Sequence, residues 1–316
     1  MSEKVLLIGG AGFLGTAVAE ILARQGSRFT VLSRSKVCPP RLGKLLERAG
    51  GLGEYVYGDS RDAQLVDRLV ADHKNVVHLA HAQMKGVTSA DPSMELSDNL
   101  AAVIPVFAAA ARHQAKVVLL SSGGTVYGQA LSVPIRADHL LAPISSYGLS
   151  KVAVENCASY FARTAGLKCV ILRPSNAYGP GQIPFRGQGF VATAMATIMN
   201  REAVRVFGRP GTVRDYVFVD DIARAIVLAL DKGENSAIYN VGSGHGLSND
   251  DVLDHMEKIL ARDGLPVSRE YAPSRPEDVA CNILDASEFQ RATGWSPEVG
   301  IENGLERTYE WLKTSR

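Results

Sequence analysis

Short, unbroken apolar runs separated by polar turns dominate the first half of the chain. Val5-Leu6-Leu7-Ile8 opens the series, and residues 29–32, 55–57, 76–79, 117–120 and 169–172 repeat it. Continuous Val/Leu/Ile runs, rather than alternating ones, predict strands of a parallel sheet covered on both faces. Between them apolar positions recur at helical spacing, which predicts helices over 13–25, 62–71, 99–114 and 146–165. Pro105 falls inside the third of these, where a proline costs about 3 kcal/mol or kinks the helix. The apolar pattern nevertheless runs through it. The alternation of strands and helices predicts a doubly wound α/β fold.

After Arg173 the texture changes. Pro174, Pro180, Gly181, Pro184, Gly187 and Gly189 mark irregular chain. Beyond them lie short helical patterns (220–230, 249–260, 301–311) and short strand patterns (204–207, 238–241). The expected organisation is a dinucleotide-binding domain over 1–173 and a smaller substrate-binding lobe over 174–316, with some exchange of chain between them. Ligands of open α/β sheets bind at the carboxyl ends of the strands, so the substrate is expected in the cleft under the lobe.

Composition narrows the class. The 316 residues are 46% hydrophobic and 21% charged, with a formal net charge of +1. Nothing in that balance favours nucleic acid or a membrane surface, and no apolar run approaches the ~20 residues of a membrane span. Cys38, Cys157, Cys169 and Cys281 have neither metal-ligand spacing nor the density of a disulfide framework. With no basic leader at the start of the chain, a reducing cytoplasm and no metal are expected.

Two constellations carry chemistry. The first is Gly9-Gly10-Ala11-Gly12-Phe13-Leu14-Gly15, directly after a strand and opening a helix. Gly9, Gly12 and Gly15 remove side chains where backbone approaches a pyrophosphate or packs helix on strand, and the helix N-terminus faces the phosphates. At the end of the second strand, where a carboxylate would bind the adenosine ribose, stand Ser33 and Arg34. Ser33 can donate to a 2′-phosphate and Arg34 can pair with one, which leans toward NADP; a solvated Arg34 over the adenine fits either cofactor. Asp59, after the third strand, can accept from the adenine amine or serve the turn into the next helix. His81, after the fourth strand, can approach the cofactor phosphates or be a satisfied polar residue at a strand end.

The second constellation is Tyr147-Gly148-Leu149-Ser150-Lys151, which puts Tyr147 and Lys151 on one helix face. A tyrosine hydroxyl, ordinarily near pKa ~10, becomes a base only when its phenolate is favoured. A nearby ammonium and an oxidised nicotinamide would do so. Upstream, Ser121-Ser122-Gly123-Gly124-Thr125 follows the fifth strand, and Thr125 can hydrogen-bond the reacting oxygen.

These segments resemble the extended short-chain dehydrogenase/reductase superfamily, and more narrowly its nucleotide-sugar epimerase/dehydratase family, a Rossmann-fold group. Further matches lie at His78-Leu79-Ala80, at residues 173–182, at residues 214–221, at Tyr239-Asn240-Val241-Gly242 and at Arg275-Pro276-Glu277-Asp278. The resemblance implies Tyr147 as catalytic base, Lys151 as its partner and holder of the nicotinamide ribose, and Thr125 as the hydroxyl contact. It implies cofactor contacts at Phe13, Leu14, Ser60, Leu79, Ala80 and Asn99. It also implies that Ser122, Gly123, Asn176, Arg214 and Arg275 lie around the substrate, the two arginines on its diphosphate. An ordinary pair of Arg214 with Asp215 or Asp220 is the plainer account of that residue. Tyr178 and Trp295 read as packing residues, and Gln182 as part of a loop.

Two departures stand out. The family's catalytic serine falls on Gly123, leaving the alcohol contact to Thr125 or Ser122. Its acidic residue after the second strand falls on Ser33. Dehydratases and decarboxylases of the family carry an acid just after the Thr/Ser loop; here Val126-Tyr127 follow Thr125, which argues against both. The expected function is a nucleotide-sugar 4-epimerase that transiently oxidises sugar C4 with bound NAD or NADP. The alternatives are an NADPH-dependent reductase of a nucleotide-linked 4-keto sugar and a non-catalytic nucleotide-binding regulator. The apolar faces of the 99–114 and 146–165 helices are expected to pair in a homodimer.

Overall fold

The computed structural model describes residues 3–82, 92–186, 189–275 and 278–315. Gly187, and Pro276 and Glu277 of the Arg275 motif, lie outside them. The first half alternates β1 (Val5–Ile8), α1 (Phe13–Arg24), β2 (Phe29–Ser33), α2 (Pro40–Arg48), β3 (Gly53–Tyr57), α3 (Ala63–Ala71), β4 (Asn75–His78), α4 (Ser93–His113), β5 (Lys116–Leu120), α5 (Ser146–Ala165) and β6 (Lys168–Pro174). The second half holds β7 (Asn176–Tyr178), α6 (Phe190–Met199), β8 (Val204–Phe207), β9 (Val213–Phe218), α7 (Val219–Lys232), β10 (Ile238–Val241), β11 (Gly246–Ser248), α8 (Asn249–Leu260), β12 (Arg269–Ala272), β13 (Cys281–Asn282), α9 (Ser287–Thr293) and α10 (Ile301–Thr314).

Seven strands form one parallel sheet in the order β10-β6-β5-β4-β1-β2-β3. Apart from the edge strand β3, the strands are largely buried on both faces, so their alternate residues feed two cores. Val5 and Leu7 pack into the core on the α1/α7 side, and Leu6 and Ile8 into the core under α3, α4 and α5. Chain order reverses between β1 and β4, and there the carboxyl ends splay to leave a crevice. The seventh strand, β10, comes from the half assigned to the lobe. It pairs with β6 in the register Ile238↔Ile171, while α7 packs against α1.

The rest of the second half builds two small sheets. In one, β9 is flanked by β11, β13 and β7; in the other, β8 pairs with β12. Asn282 of β13 donates from Nδ2 to the Gly123 carbonyl at 3.0 Å, which ties the first small sheet to the Ser/Thr loop after β5.

Three helices depart from the pattern read off the sequence. Helix α4 begins at Ser93, six residues before the expected 99, and continues through Pro105 to His113. Among the described residues it is the helix long and apolar enough to cross a membrane. That composition is accounted for by its packing against α3 and α5, with Val103, Val106 and Phe107 wholly buried. Helix α2, on Leu42 and Leu45 with Pro40 at its first turn, and α6, apolar nearly all round, have no counterpart in the pattern read off the sequence. The prolines and glycines beside them mark their starts, not their absence.

Candidate active site

The cleft at the switch point has a volume of about 370 Å³, within the range of small-molecule sites. Gly9 takes the left-handed conformation at φ +78°, and a Cβ there would lie 2.6 Å from the Ala80 nitrogen. The turn therefore closes against the end of β4 only if residue 9 has no side chain. Gly12 caps α1 without a side-chain bond, and Gly15 is buried in its first turn. The leading N–H groups of that helix, from Phe13, Leu14 and Gly15, point out of its N-terminus and form an anion cradle. Leu79, Ala80 and buried Ser60 line the cleft. These residues fit a dinucleotide: its pyrophosphate would lie on the α1 terminus, with Ser33 and Arg34 at the adenosine end.

Polar groups at that end have partly found partners. Ser33 Oγ accepts from the Ser35 N–H at 3.2 Å, whereas Arg34 is exposed on the cleft wall. Asp59 accepts from the Arg61 N–H at 2.9 Å and pairs with its guanidinium at 2.7 Å, which holds its carboxyl below the usual range. The cap of α3 is Asp62, not Asp59. Asn99 also lines the cleft, but its amide binds the backbone of Ala82 in both directions, at 2.8 and 3.0 Å, and the Glu95 carbonyl at 2.7 Å.

Tyr147 and Lys151 lie behind His81, a residue of the cleft wall whose ring meets that of Tyr147. Helix α5 is capped by Ser145, whose side chain accepts from the Gly148 N–H at 3.1 Å, so Tyr147 falls in its first turn at the carboxyl edge of β5. Burial pushes the Tyr147 hydroxyl up to about 12; Ser122, on the loop after β5, is close enough to pull it down in part, and the Glu95 carboxylate adds to the rise. Lys151 lies one turn on, its Nζ 5.7 Å from the Tyr147 ring centroid, donating to the Leu120 carbonyl at 3.0 Å. Burial brings Lys151 down to about 8, against the pull of Glu155 and Glu95. Burial thus favours the neutral phenol, and the phenolate is expected only with an oxidised nicotinamide beside the ammonium.

The loop itself explains one departure from the family pattern. A Cβ on Gly123 would lie 2.4 Å from Leu284 and 2.9 Å from the Arg173 carbonyl. A serine there would require the loop to shift, and Ser122 contacts the tyrosine instead. Thr125 Oγ1 is buried with no hydrogen-bond partner, an acceptor and donor that a bound alcohol would satisfy.

On the lobe side, half-buried Asn176 has its Oδ1 3.2 Å from where a Gly124 Cβ would lie, so it reaches the same loop. Tyr216, its partner in the β7–β9 register, keeps a buried hydroxyl without a partner. Arg214 forms no pair with Asp215 or Asp220; its Nη1 donates to the Val213 carbonyl at 2.9 Å. Asp215 instead accepts from Ser243 and from the backbone of Ser243, Gly244 and Leu284, which makes it a loop anchor. Arg275 is exposed, stacked 4.0 Å from the Phe207 centroid and paired with Asp278 at 2.9 Å. Tyr178 and Trp295 are buried packing residues. Among the described residues no cluster of His, Cys, Asp and Glu has metal-binding geometry.

Several residues escaped sequence reasoning. Glu155 is buried, pairs with Arg173 at 2.6 Å and accepts from Ser121 Oγ. Its spacing, one further turn along the Tyr147–Lys151 face, was a legible signal. Glu95 and Ser146 were not legible, because Glu95 was placed before the start of its helix.

Comparison with known proteins agrees with this geometry. Residues 5–242 match the family described as NAD-dependent epimerase/dehydratase. The chain is 30% identical to the UDP-glucose 4-epimerase of Mycolicibacterium smegmatis, over 98% of each protein. Its fold matches that of a Thermotoga maritima UDP-glucose 4-epimerase solved with UDP-glucose, with a TM-score of 0.88, 31% identity and 99% of each chain covered. It also matches a Thermus thermophilus UDP-glucose 4-epimerase solved with NAD, with a TM-score of 0.85, 30% identity, and 99% of this chain and all of that one covered. A glycine turn at a sheet's switch point, a tyrosine–lysine pair against the cleft-wall residue His81 and a match over three quarters of its length place this chain in the NAD-dependent epimerase/dehydratase family.

Proposed function

We propose that the protein is a nucleotide-sugar 4-epimerase, with a UDP-hexose as the first substrate to test. The observation that carries this reading is the Tyr147 hydroxyl, close to Ser122 on the loop that also holds the unpartnered Thr125 Oγ1, and one turn from Lys151. A bound nicotinamide would supply reversible hydride acceptance at sugar C4. The chain's own part is to move the proton: Tyr147 takes it from the C4 hydroxyl and later returns it. Ser122 and Thr125 hold the oxygen, and Lys151 stabilises the phenolate. Asn176, Arg214 and Arg275 grip the nucleotide diphosphate while the sugar turns over between its two faces. The two residues directly after Thr125 are Val126 and Tyr127, not the acid expected of an elimination, which favours the epimerase over a dehydratase.

The functional unit is a homodimer in a reducing cytoplasm. Met94 and Ile104 on α4, and Leu149 and Tyr160 on α5, remain exposed although the two helices pack together, and the four cysteines are free.

The test is to incubate purified protein with UDP-glucose and look for the 4-epimer, while identifying any nucleotide released on denaturation. Near-stoichiometric NAD with epimer formation supports the reading. A protein that instead consumes NADPH with a nucleotide-linked 4-keto sugar, and forms no epimer, is a reductase.

A further inference from the structure

Three buried carboxylates lie behind the cleft, and they differ in what neutralises them. Glu155 faces Arg173, and Asp215 faces a ring of N–H and hydroxyl donors. Glu95 is only 6% exposed and has neither. Its Oε1 stands 3.0 Å from His81 Nε2, and its Oε2 accepts from Ser146 Oγ at 2.9 Å. Burial and the nearby Lys151 hold the His81 imidazole down to about 3, so it is neutral and donates Nε2–H to the carboxylate. The same imidazole meets Tyr147 edge-on, with centroids 4.6 Å apart and planes at 77°. Glu95 thus holds the residue before Tyr147 directly and the ring of Tyr147 through His81. Asn99, bonded to Ala82 and to the Glu95 carbonyl, fixes the two halves of this arrangement to each other.

We propose that His81 and Glu95 are positioning residues for Tyr147, a clamp that sets the plane of the tyrosine ring and places a carboxylate charge beside its hydroxyl. The proposal rests on the epimerase reading for its kinetic arm. The charge has a direction: Glu95 raises the Tyr147 pKa, in the same sense as burial. The other groups acting on the tyrosine are Lys151 on α5 and Ser122 after β5; behind them, Glu155 on α5 faces Lys151, and His78 on β4 faces Lys151 and His81. His78 is buried and neutral, held down to about 3 chiefly by burial and then by Lys151 and His81. The clamp therefore adds to burial in favouring the protonated phenol.

The test compares NAD-loaded parent protein with Glu95→Gln, His81→Ala and Ser146→Ala. Two readouts are used: the near-ultraviolet titration of the Tyr147 phenol, taken as a difference from Tyr147→Phe, and the pH profile of kcat. Glu95→Gln keeps the shape and removes the charge. Both the phenol titration and the acid limb of kcat should move to lower pH by about one unit. His81→Ala and Ser146→Ala keep the charge and loosen the ring; kcat should fall about tenfold with little change in the KM for the sugar. A packing role alone would leave the titration midpoint where it is. Unmoved midpoints in Glu95→Gln overturn the charge effect, and unchanged kcat in the other two overturns the clamp. If Glu95→Gln does not fold, the His81 and Ser146 variants decide the matter through kcat. The titration needs no sugar, so a shifted midpoint without epimerase activity would sink the function reading and leave the clamp standing.

Discussion

Two regions proposed to act on the substrate are built differently. At the proposed redox end, around Tyr147, the side chains of Lys151, Glu155, Glu95 and Arg173 are each buried and each already bonded to another protein group. At the proposed diphosphate end, Arg214 gives one hydrogen bond to a neighbouring carbonyl, and Arg275 is exposed and held by Asp278. The difference fits the task proposed for each end. Proton transfer needs donors fixed before the substrate arrives, because a misplaced base loses rate steeply. Phosphate recognition needs guanidinium forks that exchange one partner for another, at a cost small enough for binding to offset.

The largest test of that contrast is at the redox end. Tyr147→Phe should lower kcat by about 10²–10⁴-fold while nucleotide binding persists; turnover at the parent rate would remove Tyr147 from the mechanism. Next, Arg173→Met strands Glu155 in the interior. Breaking a buried pair costs about 3–5 kcal/mol, so denaturant unfolding should show a large loss of stability, and a midpoint equal to the parent's would mean that Glu155 had found another partner. At the diphosphate end, Arg214→Ala should raise the KM for the nucleotide sugar about 10–100-fold, the worth of one or two charge-assisted bonds, with kcat little changed. A fall in kcat alone would contradict the division of labour between the two ends.

A pH effect sharpens the redox end further. His78 and His81 are held neutral in the folded protein, at about 3, against an ordinary value of 6.5. Below 6.5 the unfolded chain takes up protons that the folded chain refuses, so stability is full above that pH and declines as pH falls toward 3. His81→Asn should remove part of that decline in thermal unfolding followed across pH; an identical slope would mean His81 titrates freely. The smallest effect is expected at the adenosine end, where Arg34→Asp should raise the affinity for NAD(H) relative to NADP(H) without altering kcat. Relative affinities that stay put would make Arg34 a solvated bystander.

Much of this was legible in the chain. Unbroken apolar runs separated by helical periods leave few folds other than a doubly wound sheet, because such strands must be covered on both faces. Gly9, Gly12 and Gly15, and the i, i+4 pair Tyr147 and Lys151, are local patterns with local geometry, so sequence spacing was enough to find them. The boundary near residue 173 was only partly legible. Strand β10 has the apolar texture of a core strand, but nothing local says that it returns to pair with β6.

What the sequence could not determine are the contacts between segments distant along the chain. His81 reads as a polar residue at a strand end, and Glu95 as part of the stretch before a helix. Only the docking of α4 beside α5 brings Glu95 to Ser146 and His81 to the ring of Tyr147. Likewise, that Ser122 rather than residue 123 meets the tyrosine depends on Leu284, 161 residues further on, filling the space a Cβ would take. Periodicity and glycine placement are properties of a few consecutive residues and survive in one dimension. Burial, and the pKa values and pairings that follow from it, belong to the packed chain, and there the chemistry of this site was decided.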